Sequence, residues 1–291
     1  GSEHAVYVTS EVYDMGEGCQ VVPTGLPSFF APPPTAEGSV LKVCDIALDA
    51  DREFFEANGS SVAATDADIE DVINGCEAVY LAQTGISYQI TTILVRTAAP
   101  DPYQSTDAGV VLDECQAEWN SNQSGTQRDI AHLFTGKNMD GSTIGIAYLS
   151  VICSGSFGYG LSQSRFSGNW SSRVALTNHE LGHNWSAGHC NGDADCSIMC
   201  SGLGGCSGNK DSFGTAAVAA IEAMKAAAGC LFVGPPSGGP VIDTVSPGFG
   251  PHQGGNTVVL AGSDFVDDPS TGVLFDGVAG QIVSADANSL T

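Results

Sequence analysis

The chain has 291 residues, 42% of them hydrophobic and 14% charged. That length and balance suit one sizeable globular core plus a smaller module, and exclude a disordered protein. Its 33 acidic residues against nine basic ones set a formal charge of −24, which argues against nucleic acid or an anionic membrane as partner. With no apolar run of about 18 residues, no membrane span is expected.

In chain order, residues 1–37 read as an irregular leader or pro-segment remnant. It holds one short strand-like stretch, Ala5-Val6-Tyr7-Val8, and then Pro-rich sequence ending at Pro32-Pro33-Pro34. There is no initiator Met, and the opening Gly1-Ser2 is consistent with an export signal or pro-segment already removed. The folded domain is expected over 38–232. Ser39–Ala47 alternates and is β-branched, as a strand requires. Residues 66–84 carry Ile69, Val72, Ile73, Cys76, Val79 and Tyr80 at helical spacing, with Gly85 as the stop. Ile86–Arg96 reads as a strand, and Ala108–Trp119 as a second helix.

Asp129–Phe134 and Ile144–Cys153 read as two further strands, with Asp140-Gly141 as the turn between them. A helix around residues 177–185 and an Ala-rich helix over 215–228 follow. The order describes an α/β (α+β) fold with one helix placed directly after the last strands. Gly234–Pro240 marks a linker, assigned here to 233–240, and 241–291 reads as a small all-β module.

Ten cysteines match no repeated CxxC zinc-ribbon spacing, so a disulfide framework formed in an oxidising, extracellular compartment is expected. Sequons at Asn58, Asn122, Asn169 and Asn184 are read as chance occurrences, because Asn184 falls within the helix that carries the chemistry.

That chemistry lies in Thr177-Asn178-His179-Glu180-Leu181-Gly182-His183-Asn184-Trp185-Ser186-Ala187-Gly188-His189. Residues four apart share a helix face, so His179 and His183 can offer both imidazoles to one ion. If the helix breaks near 186–188, His189 can return as a third ligand and leave an open position for water, as a catalytic zinc site needs. Glu180 is placed to take a proton from that water as it attacks a carbonyl. HExxH alone is a weak signal. Here a third His follows at the spacing of a chain that doubles back, and Cys196-Ser197-Ile198-Met199-Cys200 comes soon after. A structural zinc site would be closed by a fourth protein ligand and would have no use for Glu180. His132 is expected to be a packing or hydrogen-bonding strand residue, Trp185 a packing residue, and Glu222 a poor rival to His189 as third ligand.

These residues resemble the metzincin metalloproteases, with their HExxHxxGxxH motif and Met-turn. Within them the chain is most similar to the adamalysin/reprolysin group, to which 129–136, 144–149 and Cys153 also correspond. The resemblance spans about 39–232 and is most specific over 129–206. It implies a zincin-like domain with a mixed sheet and an active-site helix. His179, His183 and His189 would bind one Zn2+, Glu180 would be the general base, and Met199 would form the floor beneath the metal. The strand of Gly145, Ile146 and Ala147 would pair with an extended protein or peptide substrate. By the same analogy Cys153 would pair with Cys230.

Two positions depart from the family pattern. Ser186 stands where the family has a glycine in a left-handed turn, at a cost of roughly 1 kcal/mol, and Gly188 is expected to take part of the bend. Cys190 replaces an Asp, pointing to bridges among Cys190, Cys196, Cys200 and Cys206. Cys19 in the leader invites a metal-capping thiolate reading. Parity favours a structural bridge instead, since withdrawing Cys19 leaves nine cysteines. The acidity permits calcium sites, but no EF-hand or nonapeptide loop is present.

Pro240–Pro251, Gly254–Val258, Gly262–Phe265 and Gly272–Gly277 resemble the start of an IPT/TIG immunoglobulin-like domain. This partial module stops short of the strands that close a sandwich. It is suited to adhesion or tethering near substrate, or to a spacer role. The reading is therefore a secreted zinc endopeptidase. The alternative is a non-catalytic extracellular adhesion protein on the same scaffold.

Overall fold

The computed structural model describes residues 41–203, 209–233 and 257–263, with short strands at 4–8, 241–246, 273–275, 278–280, 285–286 and 289–290. The Pro-rich leader sequence, Cys19, Cys206 and most of the Gly/Pro linker lie outside the described residues. The chain divides into two compact units, Gly1–Phe232 and Val233–Thr291.

The first unit contains β1 (His4–Val8), β2 (Lys42–Ala50), α1 (Arg52–Ala57), α2 (Val62–Thr84), β3 (Ile86–Val95), α3 (Ala108–Ser121), β4 (Ile130–Phe134), β5 (Thr143–Tyr148), β6 (Tyr159–Ser162), α4 (Trp170–Asn184) and α5 (Thr215–Ala227). A short β7 (Phe232–Val233) pairs with β2. The sheet runs β1-β5-β6-β4-β2-β3. β2 lies parallel to β3 and β4, β4 lies parallel to β6, and β5 is antiparallel to both β6 and β1.

β2 is covered on both faces, which explains its near-continuous apolar run. Alternate residues serve two cores. Cys44, Ile46 and Leu48, with Ile130 and Phe134 of β4, pack with Ile69, Val72, Ile73 and Tyr80 of α2 and Leu181 of α4. Ala47, Ala131 and Leu133 face the other way, onto Val111, Leu112, Cys115 and Trp119 of α3. The result is three layers, helix on sheet on helix. The carboxylate of Asp49, buried on β2, is satisfied by Arg96 at 2.7 and 3.0 Å, Tyr103 at 2.6 Å and the Trp119 indole at 3.2 Å.

Local sequence sets the helix ends. The Ser61 hydroxyl accepts from Ala64 N, so α2 begins at Val62, earlier than the apolar spacing suggested. Gly85, at φ 59°, closes it. The caps of α3 and α4 are Asp107 and Asn169.

Three expectations are corrected. The strands read as a hairpin around Asp140-Gly141 are not neighbours, because β6 inserts between β4 and β5. With four residues and a central glycine, β6 is too short to show a period. β5 ends at Tyr148 rather than Cys153, and the following segment turns back toward α4. The cysteines do not all form bridges: Cys44, Cys76 and Cys115 are buried thiols. Each sits on a core face of β2, α2 or α3, where a thiol packs as a small hydrophobe. Cys153–Cys230 and Cys190–Cys196 are bonded, and Cys200 is bonded to a partner outside the described residues.

The second unit is all-β. β8 (Val241–Ser246), β9 (Val259–Ser263), β12 (Ala285–Asp286) and β13 (Ser289–Leu290) form an antiparallel sheet in the order β12-β13-β9-β8. A separate antiparallel pair joins β10 (Val273–Phe275) to β11 (Val278–Gly280).

Candidate metal centre

α4 is buried from Arg173 to Asn184, so its polar residues must find partners inside the protein. Arg173 holds Asp68 of α2 through two bonds of 2.8 and 2.7 Å, fixing the helix laterally. One turn apart on the same face, His179 and His183 bring their Nε2 atoms to 2.9 Å. After Asn184 the chain reverses: Ser186 N donates to His183 O, and Ala187 N to Gly182 O. His189 thereby returns with its Nε2 3.1 Å from that of His179. The three ligand atoms lie within 4.8 Å of one another.

The outer nitrogens decide what faces inward. His179 Nδ1 lies 2.7 Å from Ile198 O, and His183 Nδ1 lies 2.7 Å from Ala187 O. A carbonyl only accepts, so both Nδ1 atoms carry the proton and both Nε2 atoms present lone pairs. Burial holds His179 and His183 well below the usual histidine range, with their neighbouring rings adding to the shift, and lowers His189 to about 4. At neutral pH the three rings are uncharged, as ligands must be. Lone pairs at this separation repel one another unless a cation sits between them. Ligand nitrogens of a tetrahedral zinc stand about 3.3 Å apart, so the cluster fits such an ion.

Glu180 shows the same need for a partner. It is fully buried, neither carboxylate oxygen has a hydrogen bond, and burial pushes its carboxyl well above the usual range. It abuts β5: a Cβ on Gly145 would come within 2.3 Å of Glu180 Oε1. Glycine at 145 is what lets the carboxylate approach the strand. From the other side, Met199 is buried against α4, and a Cβ on Gly182 would lie 2.6 Å from its sulfur. The Met199 segment is tied in by Cys190 N donating to Met199 O and by the Cys190–Cys196 bridge.

The structure brings the three histidines, Glu180 and Met199 together. His132 is buried with Nε2 2.9 Å from the Ser162 hydroxyl, Trp185 packs and donates to Tyr88 at 2.7 Å, and Glu222 pairs with Lys225 away from the cluster. Gly145, Ile146 and Ala147 lie on β5 beside the centre, but that strand is not a free edge, since β1 pairs along its outer side. The shared bend is also corrected. Ser186 takes the left-handed turn by itself at φ 79°, and Gly188 is not among the positive-φ residues. Sequence reasoning missed the carbonyls of Ile198 and Ala187, which carry no side-chain signature, and the seat that Ser150 provides for Ser186.

Residues 40–227 match the family model described as Metallo-peptidase family M12. The chain belongs to that family. Within the M12 match lie all three histidines, Glu180 and Met199, and an IPT/TIG domain model matches residues 240–291. No curated protein matches the chain. The M12 chain is similar to a solved structure titled "Structure of a chaperone-substrate complex", at 14% identity and a TM-score of 0.45. That likeness covers 64% of this chain and 34% of the other, so the chain spans about a third of that protein's length.

Proposed function

We propose that residues 38–232 form a secreted zinc-dependent endopeptidase of the adamalysin/reprolysin type, joined by residues 233–240 to an Ig-like module over 241–291. The observation that carries this reading is the convergence of three imidazole Nε2 atoms, 2.9 and 3.1 Å apart, beside a buried carboxylate that has no hydrogen bond. His179, His183 and His189 would hold the ion, with Ile198 O and Ala187 O fixing the tautomers of the first two rings. Zinc bound there supplies a Lewis acid for the scissile carbonyl and makes a water acidic enough to attack at neutral pH.

Glu180 takes the proton of the attacking water and passes it to the departing amine. Its burial keeps competing water away from that transfer. The backbone of Gly145–Ala147 would hold the substrate extended once β1 leaves its outer edge, so that unfolded segments of proteins are the expected substrates. Met199 and the Cys190–Cys196 bridge brace the loop that positions Ile198 O. The disulfides support an extracellular location. The all-β unit is suited to tethering near substrate. A non-catalytic scaffold has no use for a buried Glu180, whose lack of partners carries a desolvation cost.

The test is cleavage of casein by the zinc-loaded chain, with one bound zinc per molecule. Glu180→Gln should keep the zinc and lose activity by about 10²–10⁴-fold, and a chelator should abolish cleavage. Stoichiometric zinc with no cleavage of any unfolded protein would refute the proposal.

A further inference from the structure

β5 and β6 pair from Gly145↔Ser162 to Ala147↔Gly160. One step beyond, the carbonyls of both strands accept from the same side chain of α4. Asn184 Nδ2 donates to Tyr148 O at 2.8 Å and to Tyr159 O at 2.9 Å. The residue after His183 thus splices the end of the strand pair onto the helix. The splice lies three residues past Gly145 on β5 and one turn past Glu180 on α4. Asn184 is fully buried, and with both amide hydrogens committed its Oδ1 can only accept.

That Oδ1 has no hydrogen bond among the described residues, and neither has Nδ1 of the buried His132. Both face one point. A Cβ on Gly160 would stand 3.1 Å from Asn184 Oδ1 and 3.3 Å from His132 Nδ1, and His132 on β4 lies opposite Gly160 in the register. Burial lowers His132 to about 3, so near neutral pH its ring is uncharged and carries one proton. His132 Nε2 lies 2.9 Å from Ser162 Oγ, and Thr177 Oγ1 of α4 donates to that same hydroxyl at 3.4 Å. Ser162 accepts from Thr177 and has its own hydrogen to give to Nε2. The ring proton then sits on Nδ1, facing an acceptor.

We infer that Thr177, Ser162, His132 and Asn184 form one buried chain of hydrogen bonds, each donating to the next and ending on the Tyr148 and Tyr159 carbonyls, and that this chain positions Glu180 of α4 against Gly145 of β5. The inference rests on the proposed peptidase reading and adds two positioning residues to it, His132 and Asn184, which act through α4 and β5 and not on the substrate. A buried polar chain whose members are all satisfied is rigid, and breaking one link leaves its neighbours unpaired at low dielectric.

The intact protein supplies the first test. Nitrogen-15 NMR of His132 at neutral pH should place the proton on Nδ1, and a proton on Nε2 would overturn the chain. Two substitutions then separate hydrogen bonding from packing. His132→Gln can accept from Ser162 and donate to Asn184, whereas His132→Phe keeps a ring and does neither. With one zinc bound per chain, His132→Gln should stay within about threefold of the parent kcat toward an internally quenched, unstructured peptide. His132→Phe should lose at least about tenfold in kcat, with KM within about twofold. Equal kcat values, or the larger loss in His132→Gln, would overturn the inference.

Asn184→Leu removes both donors and should lower kcat about a hundredfold, the scale of a 1 Å misplacement, with zinc retained. A folded, zinc-loaded Asn184→Leu with the parent kcat would overturn the inference, and if that variant does not fold the His132 pair decides. If the parent itself cleaves no peptide, the peptidase reading fails separately, and amide exchange at Ile146–Tyr148 tests the chain. Exchange faster by at least about tenfold in His132→Phe than in His132→Gln supports it, and equal exchange overturns it.

Discussion

The Ser150 hydroxyl donates to the Ser186 hydroxyl at 2.8 Å, and both residues have left-handed backbones, at φ 60° and 79°. Ser150 N also donates to His183 O at 2.9 Å, and Val151 N to Asn184 O at 3.0 Å. The segment after β5 thus caps the last carbonyls of α4 and seats the serine that turns the chain toward His189. The end of β5 and the segment leading to His189 are held by one set of bonds.

This pairing explains how a serine is tolerated where glycine is the easier residue. Ser186→Ala keeps the strained φ and loses the hydroxyl contact, so unfolding in urea should show a loss of about 1 kcal/mol. Ser186→Gly relieves roughly 1 kcal/mol of left-handed strain while losing the same bond, and should fall within about 0.5 kcal/mol of the parent. A glycine variant as damaging as alanine would show that the hydroxyl, not the backbone, governs the turn.

Gly145→Ala should separate strand geometry from metal binding. The new methyl group would meet Glu180 Oε1 at 2.3 Å and displace the carboxylate. Zinc stoichiometry should stay at one, because no histidine moves. The kcat should drop about a hundredfold, the scale of a 1 Å misplacement of a reacting group. Loss of zinc together with activity would instead mean that the strand supports the ligands.

Asp51 gives the protein a pH dependence outside the metal centre. It is fully buried and caps α1, accepting from Phe54 N at 2.8 Å, from Gly136 N at 2.9 Å and from the Thr135 hydroxyl. Burial outweighs these bonds and raises its carboxyl from 3.8 to about 6. The native state therefore keeps this proton up to about pH 6, while the unfolded chain releases it near 3.8. Native protein binds more protons across that window, so the Asp51 contribution to stability falls as pH rises from about 4 to 6, by up to about 3 kcal/mol. In Asp51→Asn, urea unfolding followed across this range should lack that component. Identical pH profiles for variant and parent would exclude it.

The cysteine arithmetic has a direct measurement. Of ten cysteines, three among the described residues are buried thiols. The remaining seven are an odd number, so a monomer must hold a further thiol. The parity argument for bridging Cys19 therefore loses its premise, although Cys19 itself lies outside the described residues. Thiol titration in denaturant should count four groups. Those of Cys44, Cys76 and Cys115 should be unreactive in the native protein, since burial pushes all three thiols up. A count of two or fewer would contradict the core thiols.

The histidine cluster was legible in the sequence because its geometry is local. A four-residue spacing sets His179 and His183 on one helix face, and ten residues bring the chain back with His189. The layered α/β fold was legible for a similar reason, since β2, α2, β3 and α3 each carry their own period or cap. Strand neighbours were not legible, because β6 is too short to announce itself and its insertion between β4 and β5 is a long-range pairing. Core thiols and bridging cysteines looked alike, since only the packing around a sulfur separates the two.

Taken alone, the sequence determined that His179, Glu180 and His183 share one helix, because covalent spacing along that helix dictates their positions, and it placed His189 and Met199 close behind them in the chain. Only the tertiary structure decided the tautomers set by the Ile198 and Ala187 carbonyls, the fit of Gly145 against Glu180, the Ser150–Ser186 contact and the pairing of His4–Val8 along β5. Each of these depends on backbone atoms or on residues far apart in the chain. Backbone groups are the same at every position, so no residue pattern records which of them meet.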